Sequence, residues 1–200
     1  CAGIILGSVG ISRPAGQATP LELSLATNSL IEKYKKFVKL MHANNCKVIA
    51  QIKHGGSKAA YAASIGVPFL VPSMKEMSPR DIEYGKSMVE KLTPIEMNEF
   101  VSNLKGAGDF KVMNQEDIEK VIKQFRDAAE RAFKANIDGI EIHAGHGYII
   151  SSFLSRATNL RTDEYGGSLK NRMRLLDEII DAIRTKVPRN FPVIVRLDGE

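Results

Sequence analysis

Short apolar runs and long stretches of helical period alternate along this chain, and each run leads into such a stretch. Gly3–Leu6 opens the series as a strand. Ser29 with Glu32 three residues on has capping-box spacing, and it predicts a helix placing Ile31, Tyr34, Val38 and Met41 on one face. Cys46–Ile52 reads as the second strand. Asn114 is placed to cap a helix in which Ile118, Val121, Ile122, Phe125, Ala129, Ala132 and Phe133 keep a 3.6-residue period. Ile137–His143 follows as a strand. Ser168 then opens a helix carrying Leu169, Met173, Leu176, Ile180 and Ile183 inward, and Pro192–Leu197 is the last strand. Strand, helix, strand, repeated in this way, predicts an α/β fold with parallel pairing through right-handed crossovers.

Between His54 and Asn114 lie about sixty residues that the alternation does not need, well beyond the ~12–15 of an ordinary loop. The chain therefore reads as one domain over residues 1–200 with a long excursion at about 57–113, including a helix around Pro94–Leu104. A surface excursion and a lid over a substrate pocket both fit.

Residues two apart on a strand share a side, so His143 lies with Glu141 and Gly139, while Ile140 and Ile142 face the helices. By the same count Gln51 lies with Ile49, and Arg196 with Ile194. Gln51, His143 and Arg196 thus converge at the carboxyl ends of three strands, which in a (β/α)₈ barrel is the mouth where chemistry sits. An inward glutamine or arginine can also simply satisfy a buried neighbour such as Glu141, itself read as a structural charge partner one layer deeper. The segment His143-Ala-Gly-His146-Gly-Tyr148 brings two imidazoles and a phenol out of one strand end. Helical zinc pairs prefer a four-residue separation, and no Glu or Cys completes a ligand set in sequence, so no metal is assigned. Two N–H donors and a phenol suit a substrate that develops negative charge on a carbonyl-type oxygen and takes up a proton.

Composition narrows the setting. The 28 Lys and Arg exceed the 23 Asp and Glu by five, but the two signs are interleaved, which argues against a nucleic-acid surface. No run approaches the ~18 apolar residues of a membrane span, and Ala2–Leu6 is too short for a signal-peptide core. Cys1 and Cys46 make neither a disulfide framework nor a metal motif, so a cytoplasmic protein acting on a small molecule, with homo-oligomerisation open, is expected.

HAGHGY running into Phe153-Leu154-Ser155 and TNLRTDEYGGSLKNRMRLL (Thr158–Leu176) closely resembles the signature stretch of the Old Yellow Enzyme family of NAD(P)H-dependent flavin oxidoreductases. QIKHGG (Gln51–Gly56) and VIVRLDGE (Val193–Glu200) resemble the family's third and fifth strand motifs. The resemblance implies a (β/α)₈ TIM barrel of which strands two to five, about four of the eight units, are present. It further implies that His143 and His146 bind the substrate oxygen and that Tyr148 is the proton donor. Gln51 and Arg196 would contact the pyrimidine edge of FMN, with Ser8 at a small-residue contact to the ring and His54 near the same mouth. Hydride would pass from NAD(P)H to FMN and then to the β-carbon of an activated alkene, with Tyr148 protonating the α-carbon. The Arg161–Gly167 stretch reads as architectural.

The family pattern has a further strand before Gly3 and three after Arg196, the later ones bearing the phosphate-binding glycines and arginine. Four strands alone would leave two open edges. Two rival expectations follow: a non-catalytic barrel fragment that needs its missing parts, and a metal-dependent barrel hydrolase or lyase using His143 and His146.

Overall fold

The computed structural model describes residues 2–74 and 109–199, together with positions 83, 87, 90, 91, 93 and 94. Strand β1 (Gly3–Gly10) leads through helix α1 (Ile31–Ala43) to β2 (Lys47–Lys53). A short helix α2 (Ala60–Ser64) and strand β3 (Phe69–Val71) follow, then β4 (Phe110–Val112) and helix α3 (Gln115–Lys134). Strand β5 (Gly139–Ala144), helix α4 (Ile149–Leu154), helix α5 (Leu169–Arg184) and strand β6 (Val193–Leu197) complete the order. The main sheet runs β1-β2-β5-β6 with every pairing parallel.

The period-two reading of the strands explains which face the helices cover. Val48, Ala50, Ile52, Ile140 and Ile142 have no exposed surface, and they share one core cluster with Ile118, Val121, Phe125 and Ala129 of α3. Full burial of each such aliphatic or aromatic side chain contributes on the order of 2 kcal/mol, so this layer dominates the stability of the sheet. The opposite face is only partly covered: Ile5 is 53% exposed and Ile194 39%. A sheet sealed by helices on one side, with polar side chains and open isoleucines on the other, has the two-sidedness of a barrel wall.

Both later helix starts form as the sequence predicts. The Asn114 side chain accepts from the Asp117 N–H at 2.9 Å while Asp117 accepts from the Asn114 N–H at 3.1 Å, closing a capping box. Ser168 Oγ accepts from the Asn171 N–H at 3.2 Å. Ser29 does not cap α1. A 3₁₀ turn, Asn28–Leu30, feeds the helix directly, and the Ser29 hydroxyl pairs with Thr27 at 2.8 Å, because a turn entering in helical geometry leaves no extended residue to fold a side chain back. The inward face of α5 is also rotated from the expected one. Arg172, Leu175, Leu176, Ile179 and Ile183 are buried, while Leu169 is 60% exposed and Met173 36%. Phe133, at the end of α3, is likewise 42% exposed and meets Phe191 edge-on at 5.5 Å.

The excursion carries structure of its own. Strands β3 and β4 pair in parallel as a separate two-stranded sheet, and Phe69 stacks on Phe110 at 5.1 Å. The root of this sheet is tied to the Arg161 loop: Arg161 Nη1 donates to the carbonyls of Pro72 at 2.9 Å and Met113 at 2.7 Å. The helix expected around Pro94–Leu104 lies almost wholly outside the described residues.

Candidate active site

Strand parity sets up the site before any side chain is considered. Gln51 of β2 stands opposite Glu141 of β5 in the ladder, and His143 of β5 stands opposite Arg196 of β6. Gln51 Nε2 donates to Glu141 Oε1 at 2.5 Å, so Glu141 is a structural partner that fixes the amide and leaves its oxygen turned toward β1. A Cβ on Gly7 would come within 3.2 Å of that oxygen, and glycine keeps the approach open. Ser8 follows, half-buried, in the stretch of β1 where the register with β2 shifts between Leu6 and Val9.

After β5 the chain turns sharply, and two left-handed residues make the turn: His146 at φ 59° and Gly147 at φ 72°. This turn folds His146 and Tyr148 back over His143. The His143 ring centroid lies 4.8 Å from each of the other two rings, at interplanar angles of 67° to His146 and 90° to Tyr148. His143 is buried, Tyr148 half-buried and His146 exposed, which grades the cluster from sheet to solvent.

Hydrogen bonding assigns the imidazole roles. The Gly145 N–H donates to Nδ1 of His143 at 3.2 Å, so the neutral ring carries its proton on Nε2. Burial lowers the His143 pKa below the ordinary histidine value; the charges of His146 and Arg196 lower it further, and those of Glu141 and Asp198 oppose the change. His143 is therefore a neutral donor near pH 7.

Three charged residues near these strand ends were not singled out from sequence. Asp198 accepts from the His146 N–H at 2.8 Å through both oxygens and from Ser151 Oγ at 3.1 Å, pinning the turn. Those bonds, the His146 N–H foremost, hold its carboxyl below the usual range. The signal was available, since Asp198 is two residues beyond Arg196 and shares its side. Lys53, two beyond Gln51, is the second, and Glu22, which pairs with it at 2.8 Å, is the third. Nothing in the local pattern marked Glu22. His54 is buried against Gly16, its Nδ1 accepts from the Gly56 N–H at 3.1 Å, and its carbonyl accepts from the N–H of Ile149, next to Tyr148, at 3.2 Å. Among the described residues no group of three or more His, Cys, Asp or Glu side chains is placed to hold a metal.

The wall of parallel strands, with two imidazoles and a phenol grouped at its carboxyl end, defines an α/β protein of barrel type. Comparison with known proteins places it further. Residues 2–199 match the family model described as the NADH:flavin oxidoreductase / NADH oxidase family, and the chain belongs to that family. It is 35% identical over 184 residues to an NADH:flavin oxidoreductase of Gibberella zeae, covering 92% of this chain and 42% of that protein. It is 37% identical over 197 residues to an NADPH dehydrogenase of Halalkalibacterium halodurans, covering 98% of this chain and 48% of that protein. The crystal structure of Old Yellow Enzyme from Pichia sp. superposes with a TM-score of 0.78 at 29% identity, over 98% of this chain and 46% of that one. The fold is thus an arc of a TIM barrel, and the chain spans about half the length of these relatives.

The family implies a flavin, and the residues present fit the polar edge of one. The Gln51 amide oxygen beside the bare Gly7, with the guanidinium of Arg196 two strands away, offers hydrogen-bonding groups of the kind a pyrimidine edge needs. Arg196 is exposed on the open face, where a flat ring can reach it.

Proposed function

We propose that these residues form part of an FMN-dependent NAD(P)H oxidoreductase that reduces activated alkenes of the enone type. When bound, the flavin supplies the redox chemistry, taking hydride from the nicotinamide and giving it to the β-carbon of the alkene. The chain's own residues do the rest. Gln51 and Arg196 orient the pyrimidine edge, Ser8 contacts the ring, and Glu141 keeps the Gln51 amide from rotating.

His143 donates from Nε2 and His146 from its ring to the carbonyl oxygen of the substrate, drawing off the charge that builds there. Tyr148, at a right angle to His143, delivers its proton to the α-carbon. Hydride at one carbon and proton at the other sum to a two-electron reduction. The observation that carries this reading is the grouping of two imidazoles and one phenol 4.8 Å from ring to ring at the end of β5, with the His143 tautomer set by Gly145.

Anaerobic titration tests the assignment. The flavin-loaded enzyme is expected to bleach on addition of NADPH or NADH and to regain its oxidised spectrum on addition of 2-cyclohexenone. A reduced enzyme that enones leave bleached would overturn the alkene assignment.

A further inference from the structure

Lys53 is almost completely buried, although it carries a charge, and the mechanism above does not use it. It ends β2, two residues past Gln51, and its Nζ pairs with Glu22 Oε2 at 2.8 Å, the two side chains being 1% and 7% exposed. Glu22 arrives from the loop after β1. A Cβ on Gly10 would lie 2.5 Å from Glu22 Oε1, so glycine at that strand end makes the room. The pair is a poor choice for stability alone. Glu22 Oε2 also accepts from the Ala18 N–H at 3.1 Å, but Oε1 is buried without a hydrogen-bond partner, and a buried pair left short of partners rarely outperforms apolar packing. The same ammonium lies over the ring of Tyr148, 5.2 Å from its centroid.

We propose that Lys53, held in place by Glu22, is a positioning residue for Tyr148: it fixes the ring and offsets the negative charge that spreads over it as the phenolic proton leaves. This rests on the reading of Tyr148 as the acid. Glu22 keeps the ammonium at the ring, and a cation there attracts a phenolate more strongly than a neutral phenol, so its effect grows as the proton leaves.

The test compares the flavin-loaded enzyme with the double variant Lys53→Met/Glu22→Gln, which removes both charges and leaves no unpaired carboxylate, and with Lys53→Arg, which keeps a cation. The double variant is expected to slow reoxidation by an enone on the order of tenfold, the scale of a desolvated cation–ring contact. Flavin reduction by NADPH should be unchanged, the solvent isotope effect on reoxidation should rise, and Lys53→Arg should keep most of the rate. Added to Tyr148→Phe, the double change should slow reoxidation no further. In apo-protein labelled with ζ-¹³C tyrosine, the signal lost in Tyr148→Phe should move in the double variant. Equal slowing of both half-reactions, additive slowing on Tyr148→Phe, or an unmoved signal each overturns the role of Lys53. Unchanged reoxidation in Tyr148→Phe by itself would instead remove the acid on which the role rests.

Discussion

The Gly145 N–H donates to Nδ1 of His143 at 3.2 Å, and that bond turns the protonated Nε2 of a buried, neutral imidazole away from the backbone. Beside it, His146 is held in a left-handed conformation by its N–H bonds to Asp198. If the two rings together form an anion-binding corner, His143→Ala and His146→Ala should each weaken binding of a phenol, taken up as phenolate, to the oxidised flavin enzyme. The loss of one charge-assisted donor corresponds to about tenfold or more. Titration followed by the flavin absorbance reads the affinity, and unchanged binding in both variants would remove the corner.

Acid sensitivity should trace in part to His54. Burial, reinforced by the charges of Lys53 and Lys120, lowers its pKa to about 4 in the folded protein. The unfolded chain therefore binds this proton first. Stability is full above about pH 6.5, the unperturbed value, and falls as the pH drops toward the folded value, by a total of about 3 kcal/mol. Asn at position 54 can still accept from the Gly56 N–H but cannot titrate. Urea midpoints measured from pH 7 down to pH 4 should fall less steeply in His54→Asn than in the native protein; parallel curves would clear His54 of the effect.

Gly166 is packed too tightly for any side chain, since a Cβ there would overlap the carbonyl of Arg161. The obstacle is backbone, and it belongs to a loop tied by Arg161 to Pro72 and Met113 and by Asn159 to Phe153 and Tyr165. Gly166→Ala should cost about 2–4 kcal/mol in chemical denaturation, the range of severe steric lesions. A cost within ~0.5 kcal/mol, typical of an ordinary surface site, would show that the loop yields.

Strand order and site parity could be read from the chain because each strand alternates cleanly: Val48, Ala50 and Ile52 are buried under the helices while Ile49 and Gln51 turn to the other face. The long period of α3 was legible for the same reason, with the Asn114 capping box marking its start. The rotation of α5 was not. Arg172 lies on its buried face, where Nε reaches the Leu154 carbonyl at 2.7 Å, and a hydrophobicity pattern cannot anticipate an arginine bought in by backbone acceptors. Glu22 was invisible because its partner, Lys53, is 31 positions away and no local pattern links them. The pairing of β3 with β4 was missed because two three-residue strands are too short to show a period.

The open face of the sheet has a direct consequence for these 200 residues taken by themselves. Ile5 and Ile194 are substantially exposed on it. An exposed apolar face of this kind favours association between chains. Sedimentation is expected to show self-association, with FMN fluorescence quenched only at high micromolar concentrations or above. A compact monomer binding FMN at micromolar concentration would show that the open face does not drive association.

The sharpest test concerns Tyr148. Stopped-flow absorbance of the flavin-loaded enzyme separates reduction by NADPH from reoxidation by an enone. Tyr148→Phe keeps the ring and removes the hydroxyl that carries the proton, so it should slow reoxidation by about 10²–10⁴, the worth of a positioned acid, while leaving reduction nearly unchanged. Equal effects on the two half-reactions, or none on reoxidation, would contradict the placement of the proton on Tyr148.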